Sequence, residues 1–312
     1  MLGQLKSASS RLYKAISTPV EHHGLVEILP MRILFAIVCA VSIPNAFNWD
    51  GFAYDGQPDP VGLAHFLDLT FLNETGTWTT VLIVYWSALA LFGIGLAPAV
   101  SATVAALIFN LAGAFEGSQG ADKHHLQVIG LTLLVFAVHY IVAAIRAPKS
   151  LFRPSYLHHN LAIFHAKQAI VATYLVTAIY KLWYSKFEWI KDSKHFPVQL
   201  VKTRDMDYYN SLETPDPSNW FDRLSPAIET FFLNNPNWCR FFIGSGLLLE
   251  LFAFLALAGR KWGLIFGLAL ILFHLTISRV MSLTFEENIL IIAIFFVNVP
   301  GWIHAALKKP AL

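Results

Sequence analysis

Lys181 closes a run of twelve uncharged residues, Ala169 to Tyr180. A lysine at the end of an apolar helix is either a snorkelling anchor or a working amine. As an anchor its stem lies along the helix while the ammonium reaches the headgroups. As a working amine it must shed its proton. A free lysine has a pKa of about 10.4, and burial can lower that by several units, which leaves a neutral amine able to remove a proton. His125, at the start of another apolar run, either holds a polar ligand or an oxyanion, or is an interfacial histidine. His274 lies in Leu272-Phe273-His274-Leu275-Thr276. Imidazole in hydrocarbon needs a partner, so both a structural hydrogen bond and a chemical role fit it. Glu250, in Leu247-Leu248-Leu249-Glu250-Leu251-Phe252, reads as the only carboxylate deep in a span, either neutral or paired. Arg32 and His124 read as an anchor and a surface histidine, and His139 as a deep residue of the cytoplasmic half. The pairs His22-His23, His124-His125 and His158-His159 make no metal motif, because neighbours on a helix point about 100° apart. His158-His159 reads as surface, and no HExxH occurs.

The elements that position these residues are membrane spans. Of the 312 residues, 56% are hydrophobic and 13% charged, against about 25% charged in a soluble domain. The mean hydropathy is +0.54. A span needs about 20 mostly apolar residues. Eight candidates are read at roughly 30–48, 79–97, 100–116, 125–146, 161–183, 238–259, 262–281 and 286–306. The expected fold is all-α, a polytopic transmembrane bundle of about eight spans. The first 24 residues are mixed polar and no cleavable signal peptide is expected. Cys39 and Cys239 form no CxxC motif, and nothing in the sequence supports a disulfide between them.

Orientation follows from Lys and Arg. Lys6, Arg11 and Lys14, then Arg146, Lys149 and Arg153, then Arg260 and Lys261, and finally Lys308 and Lys309 fall on one side if both termini are cytoplasmic. The segment 49–78 carries five acids and no Lys or Arg. An integral protein with both termini in the cytoplasm, in a bacterial inner membrane, is expected. Residues 1–24 read as a short interfacial helix or a disordered basic tail, residues 25–306 as the membrane domain, and 307–312 as a tail. Segment 184–237 holds Trp189, Phe196, Tyr208, Tyr209, Trp220, Phe221, Phe231 and Phe232. Such aromatic density predicts an outer cap or a headgroup-level layer. At 1.5 Å per residue, Lys181 and His125 share a depth at the outer side, with His274 and Glu250 below them.

Five segments carry a family resemblance in chain order. They are Leu29-Pro30-Met31-Arg32-Ile33-Leu34-Phe35-Ala36, then His124-His125 through Gly130-Leu131, then Tyr174 through Lys181-Leu182 with Trp189 after it. Gly246 through Glu250-Leu251 follows, and then Phe273-His274 with Ser282 and Phe285. Over about residues 29–300 this set resembles the vitamin K-dependent gamma-glutamyl carboxylase and the related bacterial HTTM proteins. The resemblance implies that Lys181 is the base that deprotonates a reduced, vitamin K-like quinone. Oxygen then yields a stronger base that acts on a peptide glutamate before carbon dioxide adds. It also implies that His125 assists, and it brings His274, Glu250 and Tyr174 to the cofactor. The chain as given has no counterpart of the large lumenal region that grips the carboxylase substrate. The lysine also lacks its usual neighbouring lysine, and the spacing to Trp189 is two residues longer. Substrate recognition is therefore expected to differ or to come from another protein.

Two readings follow. One is a quinol-linked membrane enzyme with an outward-facing site, modifying a secreted peptide or protein. The other is a non-enzymatic maturation or immunity factor that docks such a partner through 184–237. A transporter is weaker, because the spans lack paired broken helices. The lipid bilayer is the expected surrounding, and no nucleic-acid partner is expected.

Overall fold

The computed structural model describes residues 22–52, 56–120, 124–211, 220–281, 283 and 285–307. Among them every regular element is a helix. Seven helices are long and apolar enough to cross a bilayer by length and composition, and the expectation of an all-α, multi-pass membrane protein is borne out. The expected interfacial helix over 1–24 and the tail 307–312 fall largely outside the described residues.

The chain divides into two compact units. The first comprises Met1–Ile170, Ala256–Gly267 and Glu286–Leu312. It begins with α1 (Leu25–Ser42), α2 (Thr75–Ile94), α3 (Pro98–Gly117), α4 (His124–Arg146) and the start of α5 (Tyr156–Tyr184). The helix α1 opens five residues earlier than the apolar run suggested, with Pro30 inside it. Sequential neighbours pack on one another, α1 on α2, α2 on α3 and α3 on α4. Ala102, Ala105, Ala106 and Ala112 are all buried on α3, and small residues let helix backbones approach closely in a membrane. Phe35, Phe92, Phe136 and Phe295 fill the centre, with ring centroids 5.1 to 6.4 Å apart. Polar tips are satisfied by carbonyls that the apolar helices cannot otherwise use: Tyr85 donates to Cys39 O at 2.9 Å and Trp86 to Ala40 O at 3.2 Å.

The last expected span is broken. It runs as α10 (Glu286–Ile292), a π turn over Ala293–Val297, and α11 (Val299–Leu307). Asn298 between them adopts the left-handed conformation, φ 47°. Asparagine tolerates that region better than most residues, and Pro300 cannot continue the preceding ladder.

The second unit comprises Val171–Leu255 and Leu268–Phe285. It holds the end of α5, α6 (Phe196–Ser211), α7 (Trp220–Asn234), α8 (Pro236–Leu251) and most of α9 (Arg260–Met281). The aromatic-rich stretch 184–237 is thus largely helical. Its Phe196 and Leu200 are buried with Cys239, and Phe232 and Phe242 pack against them. Cys39 and Cys239 are both free and buried. The sixth expected span, 238–259, departs from a single helix. Here α8 stops at Leu251, and Ala253–Ala258 winds as a 3-10 helix. Sixteen residues rise only about 24 Å, short of a hydrocarbon core of about 30 Å.

Candidate functional site

Four of the five sequence-predicted site residues lie in the second unit and meet in two pairs. Tyr174 and Lys181, seven residues apart, share a face of α5, with buried Ala178 between them. Lys181 Nζ donates to both carboxylate oxygens of Glu250, at 2.8 and 2.7 Å. The Glu250 side chain is 7% exposed and that of Lys181 25%. The ammonium also lies 5.6 Å from the Trp189 ring centroid, within cation–π range. One side of the lysine is therefore gripped by a buried carboxylate, one side faces an indole, and an edge stays open.

The second pair is Tyr174 and His274. The tyrosine hydroxyl and His274 Nε2 are 2.8 Å apart. The imidazole is buried, and its Nδ1 has no hydrogen-bond partner among the described residues. Phe285 covers the ring, centroid to centroid 4.6 Å. Lys181 is close enough to His274 to interact with it electrostatically. The helix α8 admits this arrangement through Gly246, one turn before Glu250. A Cβ at Gly246 would lie 2.2 Å from the Phe273 ring, so only glycine lets Phe273, and His274 beside it, come so close.

His125 is the second residue of α4 in the first unit, and its side chain lies outside the described residues. The next residues, Leu126 and Gln127, line a cavity of about 350 Å³ together with Asn110 and buried Glu116.

The first unit holds a buried polar network that the sequence reading missed. Glu27 receives Arg260 Nη2 at 2.8 Å, His23 Nδ1 at 2.9 Å and Asn298 Nδ2 at 2.9 Å. His23 Nε2 lies 3.4 Å from the buried Lys167 ammonium. A neutral imidazole protonated on Nδ1 satisfies both contacts, donating to the carboxylate and accepting from the lysine. Asn160 accepts from the His23 backbone N–H at 2.7 Å, and Tyr156 donates to the His23 carbonyl. Gly301 closes the network: a Cβ there would meet Asn298 Nδ2 at 2.4 Å and Glu27 Oε2 at 2.7 Å.

Three readings of single residues change. Glu250 is not the only carboxylate buried in a span, since Glu27 is 3% exposed. Arg32 is no headgroup anchor; it is buried and donates to His159 Nδ1 at 2.9 Å. His159 is likewise not a surface residue, because Tyr140 reaches the same nitrogen at 2.9 Å. His139 and His165 pair through their Nδ1 atoms at 3.0 Å. Among the described residues no group of three or more His, Cys, Asp or Glu is placed to hold a metal ion.

Compared with family models, with curated proteins and with solved structures, the chain finds no match.

Proposed function

We propose that the second unit is the proton-transfer site of a membrane enzyme acting on a reduced quinone. The contact of Lys181 Nζ with both oxygens of Glu250 carries this reading. With the carboxylate buried, lost solvation offsets part of the Coulomb attraction, and the ion pair and its neutral counterpart approach each other in energy. A hydroxyl at the open edge of Lys181 can then hand its proton to the nitrogen while the nitrogen passes one to Glu250. The base is the pair rather than the lysine alone.

The residue types suit the polar groups and ring of a hydroquinone head. Lys181 supplies one polar contact, His274 Nδ1, without a partner among the described residues, offers a second, and Trp189, Phe273 and Phe285 supply aromatic surface. Tyr174 fixes the imidazole ring so that Nδ1 keeps its direction. When bound, the quinol would supply the electrons for reaction with dioxygen, as the carboxylase resemblance implies. His125 is carried into the proposal by that resemblance alone. Purified protein in a bilayer mimic should consume reduced menaquinone or reduced vitamin K. Lys181→Ala and Glu250→Gln should each lower the rate at least a hundredfold, with Lys261→Ala unchanged. Equal rates in all four proteins would remove the assignment.

A secreted peptide is the proposed acceptor, and a docking role without catalysis is the second reading. It rests on Trp183, Tyr184 and Phe187, each more than 70% exposed, beside the left-handed residues Lys186 and Phe187. Photo-crosslinking from Phe187 should trap a peptide partner in native membranes. Capture that persists in Lys181→Ala favours docking over catalysis. Both termini are proposed to be cytoplasmic, in a bacterial inner membrane, with α8 and its 3-10 extension making the eighth crossing. Reporter fusions at the two ends that read opposite sides would exclude this.

A further inference from the structure

In the first unit, α3, α4 and the turn after α4 enclose an apolar groove of about 500 Å³, within the range of ligand-sized pockets. Val100, Thr103, Ile141, Ile145, Pro148 and Leu151 form its walls. Ala99 and Ala144 are too small to fill it. The Thr103 hydroxyl donates to Ala99 O at 2.6 Å, so the one polar side chain on the wall is already satisfied. The groove offers only carbon. Val100, Ile141 and Ile145 are exposed, and on helices of this length and composition they meet lipid.

The end of α4 and the turn after it, which form one wall of the groove, carry basic residues. Arg146 follows Ile145, Lys149 follows Pro148, and Arg153 lies two residues beyond Leu151; all three are exposed. None has an ion-pair partner among the described residues. No Asp or Glu occurs between Asp122 and Glu188. The backbone that carries these cations is held in place. Ala147 N–H donates to Ala143 O at 2.9 Å, and Ala97 N–H donates to Phe152 O at 3.2 Å, tying the turn to the α2–α3 corner.

We propose that the groove and its basic rim bind an anionic phospholipid. One acyl chain lies along Val100, Ile141 and Ile145, and the phosphate lies on Arg146, Lys149 and Arg153. An acyl chain alone gains little by leaving the bilayer, which is as apolar as the groove. Selectivity therefore comes from the rim, where basic residues at the end of a helix attract anionic headgroups. The charge complementarity favours a lipid over a second copy of this chain, whose same face would bring like charges together.

Native mass spectrometry of the full chain in detergent tests this with three probes. They are dioleoyl phosphatidylglycerol, dioleoyl phosphatidylcholine and glycerol 3-phosphate. Phosphatidylglycerol should be retained about tenfold better than phosphatidylcholine, and glycerol 3-phosphate not at all. The double variant R146Q/K149Q should lose about tenfold in phosphatidylglycerol retention, each removed charge being worth severalfold. Ala144→Phe fills the groove without touching charge and should also release the lipid. Val100→Trp, on the exposed wall, replaces it if that variant does not fold. Equal retention of the two lipids, retention of glycerol 3-phosphate, or unchanged retention in R146Q/K149Q or in the folded groove variant overturns the proposal. So does a shift from dimer to monomer in the groove variant, which would seat a second copy there.

Discussion

Lys181 and Glu250, 69 residues apart in the chain, form a bidentate ion pair between α5 and α8 with the carboxylate buried. Removing one partner of a buried pair leaves the other charge without compensation. Lys181→Met should therefore cost about 3 kcal/mol, the low end for such pairs because the lysine keeps an exposed edge. The double variant K181M/E250L should recover most of that stability, since an apolar replacement of both partners is often neutral. Thermal unfolding of the purified variants measures it. Activity should be absent from both, so recovery of fold without function separates the two roles of the pair.

Tyr174→Phe removes the hydroxyl that meets His274 Nε2. The imidazole would then be buried with neither nitrogen bonded among the described residues. An unsatisfied buried polar group costs about 1–3 kcal/mol, and the melting temperature should fall accordingly. His274→Phe in the same background should return part of the loss. No recovery would show that the tyrosine acts elsewhere.

Gly246 and Phe273 should show compensation. A Cβ 2.2 Å from the ring cannot be accommodated without moving it. Gly246→Ala should destabilise by about 1–3 kcal/mol, as overpacking does, and should displace His274 with its neighbour. Phe273→Leu alone opens space. Combined with Gly246→Ala it should restore stability beyond either single change, and a double-mutant cycle reads the coupling.

The Glu27 network makes a stronger claim on stability than on chemistry. Glu27→Ala removes the carboxylate that receives Arg260 and Asn298 and should cost about 3 kcal/mol, the low end for a buried pair because the Arg260 side chain is 25% exposed. Fluorescence-detected size exclusion should show a collapse in monodisperse protein. Gly301→Ala should lower stability in the same direction by pressing on Asn298 and Glu27. A Gly301→Ala protein with unchanged melting would mean the network can shift to admit the added methyl group.

The helices and most of the candidate site were visible in the sequence, because a charge inside an apolar run stands out by composition. Lys181, Glu250 and His274 were found that way. Their pairing was not visible, since it depends on the register between α5, α8 and α9. Glu27 escaped because it lies in the first turn of α1, at the edge of the apolar run, where carboxylates are ordinary. Its i,i+4 spacing from His23 was the readable signal. Asn298 is uncharged and so made no mark on a hydropathy profile, although Pro300 just beyond it signalled the break. The end of α8 at Leu251 had no such signal: no Gly or Pro lies between Leu247 and Ala258, and packing decides it.

Chains are made from the N-terminus, and Glu27 is among the first residues to enter the bilayer. Its guanidinium partner, Arg260, follows 233 residues later, and Asn298 271 residues later. Throughout most of synthesis α1 therefore carries a carboxylate that has His23 beside it but still lacks its guanidinium. A nascent chain cut short before α9 leaves Glu27 without that guanidinium, so this single side chain distinguishes a polypeptide that has reached α9 from one that has not.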